Sequence, residues 1–190
     1  MTDGARKDTQ REKILMTALQ CLSDKGYANT SMRNIANAAG VALSQLNYHF
    51  VSKEKLFLAV VDITAEKYLK EFRDYIFAGN GPLESIRRFS QYFRSSLEES
   101  PTMIKLLYDF MSIGLWNPIF GEKLNGLFKD IALIIEEAIN GYGSKKPGYN
   151  AEAIARVLSG AMFGTAIQVV LDPTLKKLPT SIDCLGFLFE

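Results

Sequence analysis

Apolar residues return at helical spacing along nearly the whole chain. Ile14, Leu15, Ala18, Leu19 and Leu22 predict a first helix of roughly four turns, closed at Lys25-Gly26. Thr30 or Ser31 offers an N-cap for a short second helix whose buried face is Met32, Ile35, Ala36 and Ala39. Gly40 follows directly, and a third apolar set, Val41, Leu46 and Phe50, begins within a turn. Two short helices joined this tightly have helix-turn-helix spacing. Ser52 is the expected N-cap of a fourth helix, with Glu54 in its first turn and Leu56, Phe57, Val60 and Val61 on its buried side. It should run to about Phe77, where Gly79-Asn80-Gly81-Pro82 breaks it.

Beyond that break the pattern predicts helices over 83–99, 102–114, 118–140 and 150–171, with a short terminal piece from 181. Ser100-Pro101, Asn117-Pro118, the loop from Gly141 to Gly148 and Asp172-Pro173 punctuate them. No stretch alternates with period two, so the fold class is all-α. Residues 1–51 are expected to form a small domain that begins with a loose arm over 1–9, and the long fourth helix to join it to a larger helical domain over 52–190.

Charge changes this picture locally. Lys plus Arg number 22 against 21 Asp plus Glu, so no global basic field points to nucleic acid. In the first 55 residues, however, Arg6, Lys7, Arg11, Lys13, Lys25, Arg33, Lys53 and Lys55 outnumber Asp3, Asp8, Glu12, Asp24 and Glu54. Cys21 and Cys184 lack ligand spacing and fit a reducing compartment. No early segment reads as a signal peptide and no run approaches a membrane span, so a cytoplasmic protein without a membrane partner is expected.

A third helix that turns Leu46 and Phe50 inward presents Gln45, Tyr48 and His49 on other faces, with Leu43 and Ser44 at its start. First-turn side chains of a helix in the major groove reach base edges, and later ones reach phosphates. Gln45 has the chemistry to pair with adenine, and Leu43 to touch a thymine methyl. Leu43 is equally acceptable in a core stripe with Leu46 and Phe50.

Residues 11–60 resemble the DNA-binding domain of the tetracycline-repressor family. The resemblance rests on Arg11-Glu12-Lys13-Ile14-Leu15, Lys25-Gly26-Tyr27-Ala28-Asn29-Thr30-Ser31-Met32, Ile35-Ala36-Asn37-Ala38-Ala39-Gly40-Val41 and Tyr48-His49-Phe50-Val51-Ser52-Lys53-Glu54-Lys55-Leu56-Phe57. It implies that Arg33, Leu43, Ser44 and Gln45 read bases. It further implies that Asn47, Tyr48, His49 and Lys53 contact phosphates, and that Thr30 or Ser31 anchors the backbone. Ala42 stands where the family often has serine, weakening the cap by about 1 kcal/mol, and Asn47 stands where tyrosine is common.

The resemblance also implies an apolar pocket in the larger domain, for which Tyr92, Leu107, Phe110, Met111, Trp116, Phe120, Phe163 and Gln168 are candidates. It implies a four-helix dimer interface. Small residues over 151–171, with Ala153, Gly160 and Gly164 as interface candidates, suit close helix approach there. A homodimer is expected on physical grounds too, because one short recognition helix gives little specificity.

The expected partners are therefore double-stranded operator DNA, a small-molecule effector and a second copy of the chain. The expected function is a ligand-responsive transcriptional regulator, a repressor released from a palindromic operator by a small, largely apolar ligand. An enzyme is disfavoured: His49 is the single histidine, no metal spacing, phosphate loop or nucleophile elbow occurs, and no cofactor is expected. The stronger rival is a ligand-binding protein or adaptor without operator binding.

Overall fold

The computed structural model describes residues 3–79, 81–99, 101–140 and 150–175. Among the described residues there are eight α-helices, one terminal 3₁₀ turn at Pro173–Leu175 and no strand. The helices are α1 Asp3–Lys25, α2 Met32–Ala39, α3 Leu43–His49, α4 Lys53–Phe77, α5 Pro82–Glu99, α6 Pro101–Gly114, α7 Pro118–Ile139 and α8 Ala151–Leu171.

Local chemistry sets most of these boundaries. α1 stops at Gly26, whose φ of 76° is readily open only to a residue without Cβ. Ser31 and Asn34 cap α2 reciprocally: the Ser31 hydroxyl accepts from the Asn34 N–H, and the Asn34 carbonyl oxygen accepts from the Ser31 N–H, both at 3.1 Å. The Ser52 hydroxyl accepts from Lys55 N–H at 3.2 Å to start α4. Asn117 and Asn150 cap α7 and α8 in the same way.

Three expectations require correction. Residues 3–9 are not a loose arm, because α1 already begins at Asp3; past Gly4, Ala5 to Gln10 contain no helix breaker to interrupt its upstream growth. Thr30 is not the cap of α2, since it is 2% exposed and its hydroxyl lies 2.8 Å from Gly26 O and 3.2 Å from Cys21 O. Finally, α8 is apolar enough to cross a membrane by length and composition, with a mean hydropathy of 1.6, yet only 22% of that stretch is buried. Small residues such as Ala153 and Gly160 keep it from reading as a conspicuous apolar run. The loop from Gly141 to Gly148, the terminal piece from 181 and Cys184 lie outside the described residues.

The core has two parts. In the first, Ile14, Leu15, Ala18 and Leu22 of α1 pack with Ile35 and Ala36 of α2, Leu46 of α3 and Leu56, Phe57, Val60 and Val61 of α4. Leu106 and Phe110 of α6 and Phe120 and Leu124 of α7 complete it. The second gathers Phe72 and Ile76 of α4 with residues of α5, α7 and α8. One uninterrupted helix, α4, thus contributes to both.

Candidate nucleic-acid interface and effector cavity

α2 and α3 meet across Gly40, whose φ of 66° lets its N–H reach back to Ala36 and Asn37. With Leu46 fully buried, the opposite side of α3 is left to water: Ser44, Gln45, Asn47 and Tyr48 are exposed, and so are Ser31 and Arg33 beside them. Tyr48 is 71% and Val51 87% exposed. No Asp or Glu occurs between Gly26 and Ser52, so this surface carries no carboxylate of its own to repel a phosphate.

Gln45 and His49 on it are already engaged, as is the Ser31 hydroxyl that caps α2. Ala42 has no hydroxyl with which to cap the Gln45 N–H, so only half of a reciprocal cap starts α3: the Gln45 side-chain oxygen accepts from the Ala42 N–H at 3.0 Å. His49 is half-buried, with Nε2 3.4 Å from the Gln10 side-chain oxygen and its ring edge-on to Tyr48 at 5.3 Å. Leu43 is half-buried and packs against the first core.

Lys53 does not extend freely. Its Nζ donates to the Tyr27 carbonyl and lies 3.9 Å from the centre of the Tyr27 ring. Burial lowers its pKa, while Glu54 and Asp109 pull it back up. On the other side of this turn the Asp109 carboxylate of α6 accepts the Tyr27 N–H at 2.6 Å. Its Oδ2 would stand 3.0 Å from any Cβ placed on Gly26. Tyr27 also stacks on Phe57 at 4.8 Å, and Phe57 in turn meets Phe110 edge-on at 6.1 Å. A continuous set of contacts therefore runs from α6 through the α1–α2 turn to the start of α4.

That set ends on a cavity of about 170 Å³ between α4, α5, α6, α7 and α8. Tyr92, Leu107, Phe110 and Phe163 line it. The other four pocket candidates lie elsewhere: Phe120 is consumed in the first core, Met111 packs against its edge, Trp116 is 88% exposed and Gln168 donates to Gly164 O at the surface. Sequence reading overlooked the whole wall contributed by α4, where Val61, Thr64, Ala65, Tyr68, Leu69 and Phe72 line the space. Their signal was a second apolar stripe continuing past the one that packs on α1. Burial, with Glu71 and Tyr68 adding to it, pushes the Tyr92 phenol up to about 12, so it stays neutral.

On α8, Ala153, Val157, Gly160 and Gly164 are all exposed. Among the described residues, a Cβ at either glycine would meet nothing within 4 Å.

A helix-turn-helix presenting an acid-free face, joined by a shared helix to a cavity-bearing helical domain, defines a DNA-binding transcriptional regulator of the ligand-responsive kind. Sequence and fold comparisons agree. Residues 14–60 match the family model of bacterial regulatory proteins of the tetR family. The UidR regulator of Escherichia coli is 25% identical over 178 residues, spanning 89% of this chain and 87% of UidR. The RutR regulator of Escherichia coli is 32% identical over 152 residues, spanning 72% of this chain and 66% of RutR. A Rhodococcus transcriptional regulator superposes with a TM-score of 0.81 at 18% identity, covering 94% of this chain and 95% of that one. The FadR regulator of Bacillus subtilis, solved with stearoyl-CoA, does so at 0.77 and 17% identity, covering 92% and 96%. The chain belongs to the tetracycline-repressor family.

Proposed function

We propose that the chain is a cytoplasmic repressor whose homodimer holds a palindromic operator until a small, largely apolar effector enters the cavity. Residues 1–51 form the DNA-binding domain, and 52–190 the effector and dimerisation domain. Arg33, Ser44 and Gln45 face bases, with Leu43 at the margin. Ser31, Asn47, Tyr48 and His49 face phosphates, whereas Thr30 supports the turn from inside. Lys53 serves phosphate binding through the turn it braces, unless DNA draws it away from Tyr27.

The observation that carries this reading is the sharing of Phe110 and Val61. Both line the cavity, and both belong to the core that positions α1, α2 and α3. An effector that displaces α6 or the middle of α4 thereby shifts the helix that enters the groove. A coupling of about 1–3 kcal/mol alters operator affinity roughly 5–150-fold. Dimerisation is supported by α8, an apolar helix mostly left uncovered by the other described residues, and a two-fold operator pairs half-sites about 34 Å apart.

The test is enrichment of a random duplex pool by the purified chain across a salt series. A palindrome bound by a dimer, with affinity falling as salt rises, is the expected result. A folded dimer that enriches no sequence would sink operator binding.

A further inference from the structure

We infer that Tyr108 and Asp109 of α6 set the half-site spacing of the operator that the dimer accepts. This rests on the reading of the chain as an operator-binding dimer joined through α8, and it names the residues that specify one feature of that operator.

The two residues are neighbours on α6, and each ties that helix to a different element. The Tyr108 hydroxyl donates to the Phe163 carbonyl of α8. Burial raises its pKa against a backbone hydrogen bond at Ile167 that lowers it, so the phenol stays a neutral donor. Phe163 lies between Gly160 and Gly164, the exposed glycines proposed to meet the second copy. The Asp109 carboxylate accepts the Tyr27 N–H at 2.6 Å, in the turn that leads into α2 and α3. Two hydrogen bonds, made by consecutive residues, therefore link the helix proposed to lie at the two-fold axis to the unit that carries α3.

Apolar packing joins the same parts through α4 and the two cores. Burial is non-directional, whereas a hydrogen bond fixes both distance and angle. One base pair added between half-sites moves them apart by about 3.4 Å and turns them by about 35°. In a symmetric dimer each subunit supplies half of that, about 1.7 Å. Shared equally between the two bonds, this displacement would stretch the 2.6 Å contact at Asp109 past the roughly 3.2 Å reach of an N–H···O bond. Intact bonds thus penalise the altered spacer, and loss of either one removes part of the penalty.

The experiment uses the full chain and the palindrome it enriches from a random pool, resynthesised with one base pair added or removed at the dyad. Fluorescence anisotropy gives the ratio of affinities for the original and altered spacers. Tyr108→Phe and Asp109→Ala, each verified as folded by circular dichroism, should lower that ratio about fivefold, the worth of one hydrogen bond. Asp109→Asn, which keeps an acceptor, should hold it near the parent's. A base change inside the half-site should cost each variant what it costs the parent, because α3 is untouched. Ser85→Ala is the control. It deletes a buried hydroxyl of α5 that reaches Ile76 O of α4 at 3.3 Å, outside this route, and should leave the ratio unchanged.

A spacer ratio that stays at the parent's value in either Tyr108→Phe or Asp109→Ala would overturn the inference, as would an equal fall in Ser85→Ala. So would half-site preference lost in step with spacing, or a parent that enriches palindromes of no fixed spacing. In each of these cases operator binding stands. A folded dimer that enriches no sequence would instead sink operator binding, and the inference with it.

Discussion

The Asp109 carboxylate and the Tyr27 backbone N–H meet at 2.6 Å, tying α6 of the larger domain to the turn between α1 and α2. Phe110, the next residue along α6, lines the cavity. One turn of helix thus places a group that senses the cavity beside a group that grips the DNA-binding domain. Asp109→Ala should lower stability by about 1–3 kcal/mol, as expected when a partly buried N–H loses a charged acceptor. It should also shrink the effector's influence on operator affinity, whereas Asp109→Asn, which retains an acceptor, should restore most of both. Urea unfolding and operator titrations with and without effector measure the two quantities. A variant whose effector response matches the parent's would show that coupling runs entirely through α4.

Ala42→Ser should supply the missing cap of α3 and raise stability by about 1 kcal/mol. The added hydroxyl would accept from the Gln45 backbone N–H while the Gln45 side-chain oxygen stays on the N–H of position 42, completing the reciprocal cap that Ser31 and Asn34 make on α2. Urea midpoints measure the gain, and operator preference should not change. A variant no more stable than its parent would mean that the second half of the cap does not form.

Lys53 and Arg33 should separate on thermal unfolding. Lys53→Ala removes the ammonium that braces the Tyr27 carbonyl, so it should lower the midpoint and weaken binding to every sequence alike. Arg33→Ala, at an exposed position of α2, should leave the midpoint in place and relax sequence preference. A thermally neutral Lys53→Ala would remove the bracing role.

Gly160→Glu should convert a dimer to a monomer without unfolding it, because a Cβ at Gly160 meets nothing within 4 Å among the described residues. Sedimentation should report the monomer, circular dichroism the retained helices, and operator affinity should collapse. A dimer that survives the substitution would place the interface elsewhere.

Phe57 carries the largest expected stability effect. It is fully buried and joins Tyr27, Phe110 and Phe120. Phe57→Ala should cost about 3–5 kcal/mol, read from the denaturant midpoint. A loss under 1 kcal/mol would mean that this aromatic junction repacks freely.

The helices were legible because their signals are local. Gly26, Gly40, Ser52 and Asn117-Pro118 each stop or start an element through their own backbone or cap chemistry, and the structure places boundaries there. The acid-free stretch and the exposed side of α3 follow from the same short-range pattern. What the sequence concealed depends on long-range packing. Nothing near Phe120 or Trp116 tells that one is sealed in the core and the other left in water. That choice is made by how α6 and α7 turn about Gly114 and Gly121, where a Cβ on Gly121 would stand 2.8 Å from Gly114 O. Likewise Lys53 and Asp109 are 56 positions apart, and only the fold brings both to Tyr27.

The cavity between the two halves of the core also has a temporal consequence. A guest that binds only the folded chain stabilises it by about 2.7 kcal/mol at one hundred times its dissociation constant. Cellular proteases draw on the unfolded fraction, so pulse-chase labelling should show slower turnover in cells that contain the guest. After a burst of effector has raised the number of surviving copies, that surplus outlasts the burst. The abundance of the regulator then becomes a fading memory of past exposure, and the next response begins from a higher number of copies.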